Sequence, residues 1–147
     1  MILYGLIGYP LSHSFSKEFF NKKFKEEKLT DHKYELFPLE RIDQLPALLN
    51  HFTQLQGINV TIPYKESIIQ YLDELSPEAK EIGAVNAIKI SHSQKSIYMK
   101  GYNTDALGFE NSLIDFIDTT NINALILGSG GASKAVQYIL KKLRIDF

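Results

Sequence analysis

The chain has 147 residues, no cysteine, and a net charge of -1 from 16 basic and 17 acidic side chains. That length builds one domain with a sizeable core and is short for two. The charge balance excludes an electrostatic partnership with nucleic acid or a membrane surface, and the lack of cysteine excludes disulfides, thiolate catalysis and cysteine metal sites, which suits a reducing compartment.

From the N-terminus, Leu3 to Gly8 is an apolar run closed by Gly8 and Pro10, the pattern of a strand buried on both faces. It has no basic leading segment and stops too early for a signal peptide, so it reads as part of a cytoplasmic protein. Ser16 to Lys28 carries Phe19, Phe20 and Phe24 along a helical stripe, with Ser16 as expected N-cap. That would set Ser14 and Ser16 at a helix N-terminus, where an anion is favoured.

Lys33 to Leu39 alternates as a second strand, and Ile42, Leu45, Leu48, Leu49 and Phe52 have helical spacing. Gly57 to Thr61 predicts a third strand ended by Pro63, and Ile68, Ile69 and Leu72 predict a helix over 64–75. Lys65 thereby follows a strand's C-terminal end, where open α/β sheets place ligands. A short helix over 78–82 closes at Gly83, and the runs 84–91 and 96–102 form a hairpin around His92, Ser93, Gln94 and Lys95.

Thr104 is the expected N-cap of a helix through about Phe116 that bridges two domains, with a boundary near Asn103. A polar connector, 118–123, leads to an apolar strand, Ala124 to Leu127, which enters the turn Gly128-Ser129-Gly130-Gly131 and a helix carrying Ala135, Val136, Ile139, Leu140 and Leu143. This is the opening strand, turn and helix of a Rossmann unit. The expected fold is α/β: a mixed-sheet substrate-binding domain over 1–103, then an incomplete Rossmann-like domain over 104–147. His13, His32, His51 and His92 lack metal-ligand spacing, so no metal is expected.

Five strings in order carry the chemistry: Ser12-His13-Ser14-Phe15-Ser16, Asn59-Val60-Thr61-Ile62-Pro63-Tyr64-Lys65, Gly83-Ala84-Val85-Asn86, Gly101-Tyr102-Asn103-Thr104-Asp105-Ala106-Leu107-Gly108, and Gly128-Ser129-Gly130-Gly131-Ala132-Ser133-Lys134-Ala135. Together they resemble the shikimate dehydrogenase family over the whole chain. The resemblance implies NADPH-dependent reduction of 3-dehydroshikimate to shikimate, a step of aromatic amino-acid biosynthesis. A related quinate or cyclitol-acid dehydrogenase, or a non-catalytic shikimate-binding module, are the alternative readings.

Reducing a ketone by hydride transfer makes an alkoxide that needs a proton, and a lysine beside a carboxylate can supply it. Taken singly, Lys65 reads more readily as a solvated helix lysine and Asp105 as a helix cap; the resemblance reverses that preference and makes them the catalytic pair. Lys65 is then the acid/base, and Asp105 orients it and accepts from a substrate hydroxyl, with the microscopic proton donor left open. By the same resemblance, Ser14 and Ser16 bind the substrate carboxylate, while Thr61 and Asn86 contact the ring hydroxyls.

Lys17 stands where the family usually has proline, and would add positive charge near that carboxylate; Ala87 replaces a usual threonine. Gly128, Ser129, Gly130, Gly131 and Ala132 are the cofactor-binding candidates, approaching the pyrophosphate of NADP through backbone amides. The expected partner is the small-molecule substrate. Only one helix's worth of chain follows the glycine turn, so the sequence reads as a truncated, inactive or weakly active part of the enzyme. A strand at 124–127 without parallel neighbours would seek cover from a second copy, giving a homodimer, or remain disordered.

Overall fold

The computed structural model describes residues 1–93, 96–117 and 122–147. Its centre is a six-stranded mixed sheet in the order β2-β1-β3-β5-β6-β4. The strands are β1 (Ile2–Gly8), β2 (His32–Pro38), β3 (Leu55–Val60), β4 (Glu74–Leu75), β5 (Ala87–His92) and β6 (Ile97–Tyr102). The α-helices are α1 (Ser16–Glu26), α2 (Leu45–His51), α3 (Pro77–Ile82), α4 (Asp105–Ile114) and α5 (Gly131–Lys142). The expected α/β class and mixed sheet are therefore present.

β1 pairs in parallel with both β2 and β3, whereas β5 runs antiparallel to β3 and to β6. This reversal brings strand ends and a strand start to one edge. β1, β3 and β6 end there, and β5 begins there, opposite the end of β3 through the Asn59–Ala87 pair. Loops at that edge meet although their residues are far apart in sequence.

One sheet face is covered by a core containing Ile7, Leu45, Leu55, Ile68, Val85 and Ile90, all essentially inaccessible. On the opposite face α1 lays Phe20 and Phe24 over Tyr4 and Tyr34, with Phe20 stacked on Tyr34 at 4.6 Å. Phe19, expected on the same stripe, points outward. A third cluster joins α3, α4 and α5 through Ile82, Ala84, Ala106, Ala135 and Ile139. Small side chains at the middle of that contact let α5 approach closely.

Three local expectations change. The segment expected as a helix over 64–75 is a 3-10 turn, Ser67–Tyr71, followed by β4. Sheet pairing outcompetes helix propagation here: Asp73 donates its amide to the Met99 carbonyl at 3.0 Å and accepts the Met99 amide through its carboxylate at 2.7 Å. Ser16 does not cap α1; it is the first helical residue, and its amide donates to Ser14 Oγ at 3.3 Å. Thr104 likewise makes no side-chain cap on α4. Asn103 does that work, its Oδ1 accepting the Ala106 amide at 3.1 Å.

The third change concerns 124–127, which is extended but not a strand. Its neighbour Asn123 forms an isolated parallel bridge with Asp146, and Ala124 donates to the Asp146 carbonyl at 2.8 Å. Strand structure requires a ladder, and one bridge does not make one. Leu125 and Leu127 are 84% and 89% exposed. The expected connector at 118–121 and the hairpin residues Gln94 and Lys95 lie outside the described residues.

This distribution of burial separates two kinds of apolar residue in one segment of chain. Ile139→Ala, at a site 1% exposed, is expected to cost about 2 to 5 kcal/mol in chemical denaturation. Leu125→Ser and Leu127→Ser should each change stability by less than about 0.5 kcal/mol. A large loss at either leucine would mean that 124–127 is packed in solution.

Candidate active site

The loops at the shared sheet edge hold the polar residues of the first four motifs. Ser14 and Ser16 follow β1, Thr61 and Lys65 follow β3, Asn86 precedes β5, and Asp105 follows β6. Ser14, Ser16 and Thr61 line one cleft together with Tyr9 and His13. Lys65 lines an adjoining cleft with Gly128, Gly130, Gly131 and Ala132, and Ile62 borders both. Ser129 lies in the same turn and is exposed.

Lys65 Nζ donates to Asp105 Oδ2 at 2.6 Å, joining residues 40 apart in sequence. The lysine side chain is 15% exposed and the carboxylate 35%, so the pair is sheltered yet open on one side. The other carboxylate oxygen, Oδ1, accepts from Asn86 Nδ2 at 2.7 Å. Asn86 also accepts the Thr104 amide on Oδ1 at 2.7 Å and donates to Thr104 Oγ1 at 2.8 Å. Asn86 is 9% exposed, and a buried amide in that position needs every partner it has.

The network continues behind Asn86. Its carbonyl accepts the Val60 amide at 2.8 Å and, more weakly, Asn59 Nδ2 at 3.4 Å. Asn59 Oδ1 in turn accepts from the Tyr34 hydroxyl at 2.8 Å. Burial pushes the Tyr34 phenol well above its ordinary range, against a smaller opposing effect of a hydrogen bond from Ser16. It remains a neutral donor throughout the physiological range.

Tyr34 and Asn103 are site residues that sequence reasoning misses. The available signal for Tyr34 is a hydroxyl on an alternating strand, where a tyrosine turned to the inner face has to find a partner for its hydroxyl. Asn103 sits inside the Asn-Thr-Asp string, where its Nδ2 donates to the Ala84 carbonyl at 3.0 Å and ties β6 to the loop before β5. Lys17 does not face the serine cleft. It pairs with Glu35 at 2.6 Å and, with Lys33, holds that carboxyl below its ordinary range.

The glycine turn opens a helix of 12 residues, with Gly128 at φ +125° and free space in front of both Gly128 and Gly130. A positive φ there favours glycine, and the open space leaves the amides at the helix N-terminus accessible. The turn therefore has the shape and donors for a phosphate group.

Residues 6–88 match the family model described as shikimate dehydrogenase substrate binding domain. The chain belongs to this family. It is 43% identical over 140 residues to the shikimate dehydrogenase (NADP(+)) of Clostridium beijerinckii, covering 92% of this chain and 49% of that protein. Among solved structures, shikimate dehydrogenase 1 from Peptoclostridium difficile superposes with a TM-score of 0.85 at 38% identity, covering 99% of this chain and 53% of the other. The Thermus thermophilus shikimate 5-dehydrogenase in complex with shikimate gives 0.82 at 32% identity, over 99% and 54%. The chain spans about half the length of the curated relatives it matches.

The Asn86 junction makes a stability prediction that does not depend on catalysis. Asn86→Ala leaves the Thr104 amide and Asp105 Oδ1 without their partner and should destabilise the chain by about 1 to 3 kcal/mol. Thermal unfolding followed by circular dichroism reads this directly, and an unchanged midpoint would show that water replaces the amide at no cost.

Proposed function

We propose that this chain supplies the substrate half of an NADP-dependent shikimate dehydrogenase, which reduces 3-dehydroshikimate to shikimate. The observation that carries the reading is the ion pair between Lys65 and Asp105, held by Asn86, with Lys65 lining the cleft that adjoins the one lined by the hydroxyls of Ser14, Ser16 and Thr61. The family match supports the substrate class, and the printed names of the relatives support the cofactor.

Ser14 and Ser16 bind the substrate carboxylate through their hydroxyls, assisted by the N-terminal end of α1. Thr61 and Asn86 stand toward the ring hydroxyls; Asn86 already spends its side-chain bonds on Thr104 and Asp105, so it acts mainly by fixing them. Lys65 Nζ gives its proton to the substrate oxygen as negative charge develops there. Asp105 holds the ammonium in place and offsets the charge left behind when the reaction runs in reverse.

The residues present fit the phosphate end of a dinucleotide: Gly128, Ser129, Gly130, Gly131 and Ala132 form the turn and first residues of α5, beside Lys65. When bound, NADPH supplies the hydride that reduces the ketone. The division into a substrate domain over 1–103 and the beginning of a Rossmann-like nucleotide domain over 104–147 follows the same reading, with α4 as the connecting helix.

Calorimetric titration of the 147-residue chain with shikimate tests substrate recognition. Ser14→Ala and Ser16→Ala should each weaken binding by about 1 to 3 kcal/mol, and quinate titrated in parallel tests the choice of acid. For the chemistry, the chain can replace the matching half of the Clostridium beijerinckii enzyme. In an active chimera, Lys65→Ala should lower kcat by about 10² to 10⁴-fold while changing KM little. Retention of the unaltered kcat would remove Lys65 from the mechanism.

A further inference from the structure

Helix α5 reaches the Lys65 side chain through its first residue. Gly131 is its first residue, and a methyl group placed there would lie 2.8 Å from Lys65 Cβ, 3.4 Å from Lys65 Cδ and 3.3 Å from Ala84 Cβ. A contact of 2.8 Å between carbons cannot be kept, and the obstacle is the stem of Lys65 close to its backbone. That backbone is itself fixed, because the Lys65 carbonyl accepts the Val85 amide at 2.7 Å. Lys65 Cβ is set by that backbone and no side-chain torsion moves it, so relief must come from a shift of the first turn of α5 away from the lysine stem.

The neighbouring glycines are different. A methyl at Gly130 or at Gly128 would meet nothing within 4 Å. The turn thus divides its glycines by what they face: Gly128 and Gly130 front open space, and Gly131 fronts Lys65. One turn further along α5, Lys134 pairs with Glu66 at 2.5 Å, so the helix contacts the two consecutive residues Lys65 and Glu66.

We infer that Gly131 is a positioning residue for Lys65: its lack of a side chain lets the first turn of α5 stand directly against the lysine stem, a wall that limits the torsions by which the ammonium is aimed. This rests on the assignment of Lys65 to the substrate site made above. The turn that presents amides to a phosphate and the wall that aims the proton donor are the same few residues. A displacement of α5 on nucleotide binding therefore changes the geometry of Lys65 without any contact between the nucleotide and the lysine.

The inference separates from ordinary helix preference by its sign. Glycine is a poor helix residue relative to alanine, so Gly131→Ala would stabilise the chain if only propensity mattered. The test uses the 147-residue chain labelled at lysine, with the Lys65 ε-methylene resonance assigned from Lys65→Arg. Gly131→Ala is expected to displace that resonance and to weaken shikimate binding by about ten-fold, the loss of one charged hydrogen bond. Gly130→Ala is expected to leave the resonance in place.

An unmoved Lys65 resonance in Gly131→Ala, or an equal displacement in Gly130→Ala, overturns the inference. Should Gly131→Ala unfold the chain, Lys65→Gly/Gly131→Ala removes the obstructing stem and is expected to restore folding; a double variant as unstable as the single one overturns it equally. If shikimate fails to bind the unaltered chain while Gly131→Ala still displaces the Lys65 resonance, the positioning contact stands and the functional reading falls.

Discussion

The Asn86 side chain is the joint on which the site depends. It is buried at the start of β5, and its amide bonds both the Thr104 backbone and the Asp105 carboxylate. A buried amide lacking a partner is costly, so Asn86 tolerates few alternative placements of the loop after β6. The Asp105 carboxylate is thereby fixed on one oxygen before Lys65 engages the other. Orientation by neutral hydrogen bonds places the carboxylate to receive the Lys65 ammonium while leaving the pair partly exposed.

The sheet explains how these groups come together. In a wholly parallel sheet, each return to the site edge would require a crossover. Here the β5–β6 hairpin begins and ends at that edge, so Asn86 and Asp105 arrive on adjacent strands. Asn103 closes the same corner from β6 to Ala84. The docking of α5 against α3 and α4 is mainly apolar, with ion pairs of Lys134 with Glu66 and Lys142 with Glu110 at its rim. Exposed pairs of this kind contribute little to affinity and more to register.

Much of this is legible in the sequence because it depends on local pattern. The apolar run of β1, the hairpin and the glycine turn before α5 are each visible in a window of a few residues. The order of motifs identifies the polar groups that gather at the edge. Elements that depend on distant partners are harder to read. Residues 64–75 have helical spacing, yet Asp73 is held by Met99, so β4 forms beside β6. Leu125 to Leu127 reads as a strand by composition, but strand formation needs a ladder of partners that composition does not supply. The capping roles move for a similar reason: Thr104 turns its hydroxyl to Asn86, and Asn103, one residue earlier, takes over the helix end.

The spacing of the contacts also sets what each costs to close. Tyr34 bonds Asn59 across 25 residues, Asn59 reaches Asn86 across 27, and Lys65 meets Asp105 across 40. Each link closes a loop, and the entropy lost in closing it grows slowly with the length of chain enclosed. The pair of Lys65 and Asp105 closes the widest of these three loops. The β1–β3 pairing, which joins Leu3 to Leu55, closes a wider one still, so the sheet beneath the site carries a larger loop-closure cost than the ion pair that sits on it.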